Sequence, residues 1–471
     1  MNAFTNAVGS LSDFTMTYIV SVLLIFTGLL YTFRLKFFQF HYFPHILKMT
    51  IGQMFKKNNK KGTITPFQAF ASTLGTTAGA TNIVGVALAI ALGGPGALFW
   101  MWIVALLGMA TKYSEIILGM KYREKNKEGE WVGGPMYYIK KGLGWKPLAW
   151  AFSFFLMLEI FASIMVQSNS ITTQLKSAFN WNSIILGIVL VIIVGIIALG
   201  GIKRIGKVSD KLVPFMILTY IAATVAVIII HFDKLPETFA LIFTHAFTPI
   251  SATGGFAGAA VAQGLRWGLA RGLYSNEAGM GTAPFAHAAA QTDHPTKQAM
   301  WGVLSVFIDT IVICSLSGLA VLTTGAWTKV NAKESSSMVD HALSTVFGDF
   351  YGSVFVAIFL FLFVITTVLV LVFYGEKQVE YLFGLRPAKF SRFVYLAAIF
   401  IGAIGGLQLI WKFLDLLLAA ITIINIVPLL LLNKEVRDIT QDYINRVFKR
   451  KTKDKKTVLF YEEDEKIEAV E

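Results

Sequence analysis

Residues 271–284 (Arg-Gly-Leu-Tyr-Ser-Asn-Glu-Ala-Gly-Met-Gly-Thr-Ala-Pro) place polar side chains inside an apolar segment long enough to cross a membrane. Ser275, Asn276 and Glu277 are adjacent, and glycines and Pro284 follow them. A continuous helix in lipid disfavours this composition, because an unpaired backbone group costs several kcal/mol in hydrocarbon. Broken backbone is tolerated where it lines a protein-walled cavity. The stretch therefore predicts a discontinuous helix at a binding site for a polar ligand.

A second stretch of the same kind lies near the start of the chain, at residues 75–85 (Gly-Thr-Thr-Ala-Gly-Ala-Thr-Asn-Ile-Val-Gly). Unwinding here would free carbonyls for a cation and direct the N–H groups of the next half-helix at a carboxylate. Close packing of helices through small residues is the alternative interpretation. Four polar residues among seven favour a site.

Three more polar residues in apolar segments could complete such a site. Gln167 carries an amide in the middle of a predicted span, and either a substrate or a neighbouring helix could satisfy it. Thr366 and Thr367 are adjacent hydroxyls that could complete an oxygen cage for a monovalent cation. Alternatively, each hydroxyl could bond to a carbonyl of its own helix.

Several charged residues also lie within the apolar segments. Glu277 is predicted to form a structural ion pair with Arg271, with a proton or cation role as the alternative. Lys112 and Glu115 are three residues apart, which predicts a local ion pair. Two further carboxylates have no evident partner and no assigned role: Glu159 and Asp309.

The composition identifies the elements that must position these residues. Apolar residues make up 55% of the 471-residue chain, charged residues make up 15%, and the mean hydropathy is +0.63. These values are typical of a polytopic membrane protein. The single cysteine, Cys314, excludes a disulfide framework and a cysteine-based metal cluster.

Eleven membrane-spanning helices are predicted, at about residues 15–33, 65–92, 95–120, 148–175, 183–200, 211–231, 250–290, 297–325, 351–375, 392–411 and 413–432. With the N-terminus outside and the C-terminus in the cytoplasm, inner segments hold 33 of the 41 Lys and Arg residues, and outer segments hold 5. This positive-inside bias supports that orientation. The net charge of +13 therefore indicates anionic membrane lipids as partners, and not nucleic acid.

Ten of the spans divide into two sets of five, and each set begins with a broken helix that enters from the opposite face. This pattern predicts an inverted repeat of all-α architecture plus one extra N-terminal helix. The predicted units are residues 1–64, the first repeat 65–231, an outer connection 232–249, the second repeat 250–432 and a charged cytoplasmic tail 433–471. The loop 121–147 is predicted to be a short pair of inner helices.

Enzymatic function is not indicated. Residues 201–207 nearly match a phosphate-binding loop, but Val208 replaces the Ser or Thr that would reach Mg²⁺. No HExxH, CxxC or GxSxG motif is present. A channel is the other rival, and single copies of the breaks do not resemble a filter repeat.

The stretch 272–284 with Ala-His-Ala-Ala-Ala at 286–290 closely resembles the signature of the alanine or glycine:cation symporters. Residues 73–85 resemble the first broken helix of that family, and residues 133–138 (Gly-Gly-Pro-Met-Tyr-Tyr) are also similar. The resemblance covers about residues 15–435. It implies the fold of sodium-coupled amino-acid transporters and import of a small neutral amino acid, alanine or glycine, with Na⁺ across the plasma membrane. A glutamine carrier and a proton-coupled carrier of the same family are the alternatives.

The resemblance also implies roles for individual residues. It assigns Thr77, Gly79, Gln167 and Asn276 to the substrate. It assigns the carbonyls of Gly75 and Ala78 to Na⁺, and the hydroxyls of Thr366 and Thr367 join them by analogy with the fold.

Overall fold

A computed structural model describes residues 8–12, 14–54, 62–248, 257–330, 337–405 and 408–448. Almost all of this part of the chain is helical. Residues 55–61 of the predicted N-terminal unit and the part of the predicted charged tail beyond residue 448 lie outside the described residues.

The α-helices of the first part of the chain are α1 (Ser21–Arg34), α2 (Phe38–His41), α3 (Phe43–Met49), α4 (Pro66–Thr77), α5 (Val84–Gly93), α6 (Ala97–Lys121) and α7 (Pro135–Gly142). Those of the middle are α8 (Lys146–Phe179), α9 (Ser183–Ala198), α10 (Gly201–Ile230), α11 (Leu235–Phe247), α12 (Ala257–Asn276), α13 (Ala283–Ala288) and α14 (Pro295–Val306). Those of the last part are α15 (Ser315–Thr323), α16 (Ala326–Lys329), α17 (Met338–Phe347), α18 (Asp349–Phe383), α19 (Leu385–Ile404), α20 (Gln408–Leu431) and α21 (Asn433–Val447). Two π-helices, Thr15–Val20 and Phe307–Cys314, and three 3₁₀ turns, Ile51–Gln53, Ala80–Asn82 and Phe232–Lys234, are also present, and residues 8–12 are helical.

Among the described residues, eight helices are long and apolar enough to cross a membrane, and α5 and α9 are shorter apolar helices. The chain is thus a multi-pass membrane protein. The number of eleven spans, the inverted repeat and the unit boundaries stay predictions.

Both predicted breaks are present. The first broken helix consists of α4 and α5, and the second consists of α12 and α13. Helix α4 begins with a capping box, because Thr65 Oγ1 accepts from the Gln68 amide at 3.1 Å and Gln68 Oε1 accepts from the Thr65 amide at 3.2 Å. It ends at Thr77, where Ala78 and Gly79 leave helical geometry.

The backbone of the second break adopts positive φ angles, which the first break does not contain. Glu277, Gly279 and Gly281 all have positive φ, at 56°, 101° and 77°. Glycine adopts this geometry freely, whereas a non-glycine residue pays roughly 1 kcal/mol or more for it. A Cβ on Gly279 would lie 2.5 Å from Leu24 Cδ2, so the N-terminal helix α1 closes against the break. The packed helices around the break therefore maintain the strained backbone of Glu277.

The other helices enclose the two broken ones. Helix α4 packs on α10 and α18, α5 packs on α12, and α6 packs on both α12 and α14. Tyr31 of α1 donates from its hydroxyl to the Leu429 carbonyl of α20. The loop 121–147 differs from the predicted helix pair. It forms a hairpin of strands β1 (Glu124–Lys125) and β2 (Trp131–Val132), followed by the single helix α7.

Candidate functional site

Helix α6 satisfies the backbone of the second break. Glu115 Oε1 accepts from the amides of Gly279 and Gly281 at 3.0 and 2.9 Å, and from Asn425 Nδ2 at 2.7 Å. Lys112 Nζ donates to the Asn276 carbonyl at 2.7 Å. A cation at the carboxyl end of α12 and an anion at exposed amides both complement the local dipoles. The predicted Lys112–Glu115 ion pair is therefore wrong. Each side chain instead replaces helical hydrogen bonds that the break removes.

Asp309 joins the two breaks. It lies in the π-helix Phe307–Cys314 and is fully buried. Its Oδ1 accepts from Asn82 Nδ2 of the first break at 2.7 Å, and its Oδ2 accepts from Ser275 Oγ of the second at 2.7 Å. Single-turn π-helices often mark functional sites. Here the irregular turn places one carboxylate between both broken helices.

The predicted pair between Arg271 and Glu277 is also wrong. Glu277 Oε2 accepts from the hydroxyls of Thr282 at 2.5 Å and Thr76 at 3.3 Å. Arg271 Nη2 lies 3.7 Å from Asp415 Oδ2 of α20. The left-handed turn at residue 277 directs the glutamate toward the first break. Arg271 remains on α12, facing α20.

In the described part of the chain, two cavities are lined by residues of both broken helices. The larger has a volume of about 300 Å³ and lies beside α5. Its lining consists of Ala80, Thr81, Val84, Gly85, Leu88, Val166, Gln167, Ser170, Arg271, Tyr274 and Asp415. The smaller, of about 20 Å³, is lined by Thr76, Thr81, Glu159, Ser163, Gln167, Tyr274, Glu277, Met280, Thr282, Thr367 and Leu371. Because Thr81, Gln167 and Tyr274 line both, the two cavities are neighbours.

Of the predicted substrate residues, the structure brings Gly79 and Gln167 together. A Cβ on Gly79 would lie 3.3 Å from Gln167 Nε2, and Gln167 lines both cavities. Thr77 donates its hydroxyl to the Leu74 carbonyl at 3.2 Å and lines neither cavity. Asn276 also lines neither, because its amide caps the break at Ala278 N and donates to Thr310 Oγ1.

Of the predicted sodium residues, Gly75 and Thr367 are in direct contact. Thr367 Oγ1 donates to the Gly75 carbonyl at 2.9 Å. Thr366 directs its hydroxyl to the Phe363 carbonyl of its own helix at 2.9 Å. Ala78 is the first non-helical residue of the break, and within the described residues its carbonyl accepts no hydrogen bond.

Reasoning from the sequence did not assign four residues to the cavity lining, namely Ser163, Tyr274, Thr282 and Asp415. Thr81, one of the four polar residues of the first break, lines both cavities. Asp415 carries a signal that could have found it, since it is an acidic residue inside an apolar span. The hydroxyl residues carry no such signal, because Ser and Thr also occur in membrane helices as ordinary packing residues.

The other end of the broken helices is closed by backbone contacts. Ile64 forms a parallel bridge with Ala290, and the Thr63 amide donates to the Ala289 carbonyl at 2.7 Å. Arg123 Nη1 donates to the carbonyls of Ala288 and Ala290 at 2.9 and 3.0 Å. The described structure thus has its larger cavity at the α5 end and a hydrogen-bonded seal at the α4 end.

The fold matches that of known transporters. A solved structure of the manganese transporter of Eremococcus coleocola aligns with a TM-score of 0.52 at 15% identity and covers 78% of each chain. At this identity the likeness establishes the fold alone. With the cavities between two broken helices, it defines the protein as a polytopic membrane protein whose candidate site lies between those helices.

The chain belongs to the sodium:alanine symporter family, whose sequence model matches residues 1–458. It is 49% identical to the uncharacterized transporter YflA of Bacillus subtilis over 423 residues, which cover 90% of each chain. It is 38% identical to the sodium/alanine symporter AgcS of Methanococcus maripaludis over 457 residues, which cover 96% of this chain and 99% of that one. These matches confirm the resemblance and the predicted class of fold.

Proposed function

We propose that this protein imports a small neutral amino acid, alanine or glycine, together with Na⁺ by alternating access. Membership of a sodium:alanine symporter family and similarity to a sodium/alanine symporter support the substrate and the ion. In the proposed orientation the N-terminus is outside. The larger cavity then opens toward the outside, and the seal at Ile64 and Ala290 closes the cytoplasmic side.

The observation that carries the proposal is the unpaired side-chain oxygen of Gln167. Its Oε1 is buried in the cavity wall and has no hydrogen-bond partner among the described residues. Ala80 and Thr81 also line the cavity, and among the described residues neither backbone N–H has a hydrogen-bond acceptor. Buried polar groups of this kind need partners. An amino acid supplies both, because its carboxylate accepts from amides and its ammonium donates to the Gln167 oxygen.

The charge of the cavity favours a zwitterion over a charged amino acid. Arg271 and Asp415 line it as oppositely charged neighbours, 3.7 Å apart. A substrate of net charge would leave one desolvated charge without compensation, which is costly in a low-dielectric site. Closure against the substrate would then complete the site, and the bound Na⁺ would favour the same state.

Uptake into proteoliposomes tests the proposal. Labelled alanine, glycine and glutamine are offered under an imposed Na⁺ gradient and under a H⁺ gradient alone. Na⁺-driven accumulation of alanine or glycine is expected. Accumulation of glutamine alone would refute the substrate, and accumulation driven by H⁺ without Na⁺ would refute the coupling ion.

The variant Gln167→Ala places the site. Loss of a hydrogen bond to a charged ligand group is worth about 1.5–3 kcal/mol, which raises KM by roughly 10- to 100-fold. Gln263→Ala, at an exposed position of α12 where the amide bonds to Trp267, is the matched control and should leave KM unchanged. Equal KM values in both variants would exclude Gln167 from the substrate site.

A further inference from the structure

Glu159 is a buried carboxylate that the proposed substrate and sodium sites do not use. It lies on α8, eight residues before Gln167 and so about 12 Å along the helix. Its side chain is 2% exposed and lines the smaller cavity. No described residue donates a hydrogen bond to it. An ionised carboxylate in this position is costly unless another group neutralises it.

The neighbouring charges do not neutralise it. Four fully or nearly buried carboxylates surround the breaks. Among the described residues, Lys112 is the fully buried cation beside them, and it donates to the Asn276 carbonyl. Three of the four accept hydrogen bonds from protein groups, namely Glu115, Glu277 and Asp309. Arg271 lies at the larger cavity beside Asp415. Among these four carboxylates, Glu159 is thus the one that no described residue of the protein neutralises, so its partner must be a bound ion.

The cavity in front of Glu159 has the size and lining for one small cation. Its volume of about 20 Å³ exceeds the ~10–15 Å³ that one water-sized body requires. Its lining includes the Glu277 carboxylate and the hydroxyl residues Ser163 and Thr282. Oxygen ligands of this kind suit hard cations. The titratable groups that face Glu159 are Glu277 and Tyr274 across the cavity and Tyr395 of α19.

We infer that Glu159, with Glu277 opposite, binds a monovalent cation, either Na⁺ or H⁺, that is additional to the Na⁺ predicted at Gly75 and Thr367. The inference rests on the proposed symport and adds a second ion to it. In the proposed orientation this site lies on the cytoplasmic side of Gln167, along the path by which substrate leaves. Release of the cation would leave an uncompensated carboxylate there, which disfavours return of the empty carrier to the outward-open state described here.

Ion-dependent melting of the purified protein in detergent tests this inference without requiring transport. The Tm of the full chain is measured against NaCl concentration, with choline chloride holding ionic strength constant, and then against pH. Glu159→Gln is compared with Glu237→Gln, which removes an exposed carboxylate that is 78% accessible. If the cation is Na⁺, the slope of Tm against the logarithm of Na⁺ concentration should fall by about half in Glu159→Gln. If it is H⁺, that slope should persist, while the loss of Tm as the pH rises from 5 to 8 should be smaller in Glu159→Gln than in Glu237→Gln.

Either result supports the inference and identifies the ion. If the Tm of Glu159→Gln responds to Na⁺ concentration and to pH in the same way as that of Glu237→Gln, the inference is overturned. Should Glu159→Gln not fold, Glu159→Asp retains the carboxylate but draws it back by one methylene. A change of about threefold or more in the Na⁺ midpoint, or a shifted pH midpoint, is then expected, and unchanged midpoints would overturn the inference. Failure of wild-type uptake would refute the proposed symport, whereas these titrations decide the role of Glu159 separately.

Discussion

Thr366 and Thr367 offer a sharp test of the proposed sodium site, because they are adjacent in sequence but only the Thr367 hydroxyl bonds to the first break. Thr367 Oγ1 lies 2.9 Å from the Gly75 carbonyl of the first break and also 2.9 Å from the Phe363 carbonyl of its own helix. Thr366 Oγ1 donates to Phe363 of its own helix and lies 3.5 Å from Met216 Sδ of α10. Replacing each by valine keeps its shape and removes only the hydroxyl.

The two variants should differ in their affinity for Na⁺. In Thr367→Val the break loses an oxygen that contacts it from α18, and the Gly75 carbonyl loses its donor. A net hydrogen bond is worth about 0.5–1.5 kcal/mol, and one to a charged group about 1.5–3 kcal/mol. For a lost ion ligand we expect about 2 kcal/mol, which raises the Na⁺ concentration for half-maximal uptake by roughly 30-fold. Thr366→Val loses only a bond within its helix, and a change below about threefold is expected.

The assay is the initial rate of alanine uptake into proteoliposomes over a range of external Na⁺ concentrations, with the membrane potential clamped. Melting in detergent without Na⁺ verifies that both variants fold to a similar extent. Equal shifts in the two variants, or a larger shift in Thr366→Val, would refute the assignment of Thr367 to the ion. In that case the contact between Thr367 and Gly75 would be one of helix packing alone.

Two further predictions concern stability. Lys112→Met removes the donor to the Asn276 carbonyl and leaves that buried acceptor unsatisfied, so the protein should lose about 1–3 kcal/mol and melt below the wild type, whereas the exposed Lys140→Met should not. A Tm equal to that of the control would contradict this role. Burial lowers the pKa of His294, which lies 3.3 Å from Asp442 on α21, below its ordinary 6.5. As the pH falls through 6.5, the unfolded state binds more protons than the folded state, so the stability of the wild type declines. The Tm of His294→Gln should therefore fall less steeply than that of the wild type from about pH 7 to 5.5. Identical slopes would show that His294 does not contribute.

Local sequence was sufficient for the membrane class, the two breaks and the family. Apolar length, glycines and polar residues within a span report directly on what a lipid environment tolerates, so residues 75–85 and 271–284 identified the irregular backbone. The same signals did not identify which side chains face a cavity. Thr76 and Thr77 are equivalent in type, but consecutive helical positions differ by about 100° in direction, and only Thr76 lines a cavity.

Tertiary structure alone decided the partners of the buried charges. Spacing along one helix favoured Lys112 with Glu115, and proximity in the chain favoured Arg271 with Glu277. In the fold, Lys112 instead bonds to Asn276, and Arg271 faces Asp415. A broken helix presents free carbonyls and amides that attract a buried charge more strongly than a neighbour on the same helix does, because those backbone groups have no other partner in lipid. Which charge reaches them depends on how distant helices pack, and that information lies outside any local stretch of sequence.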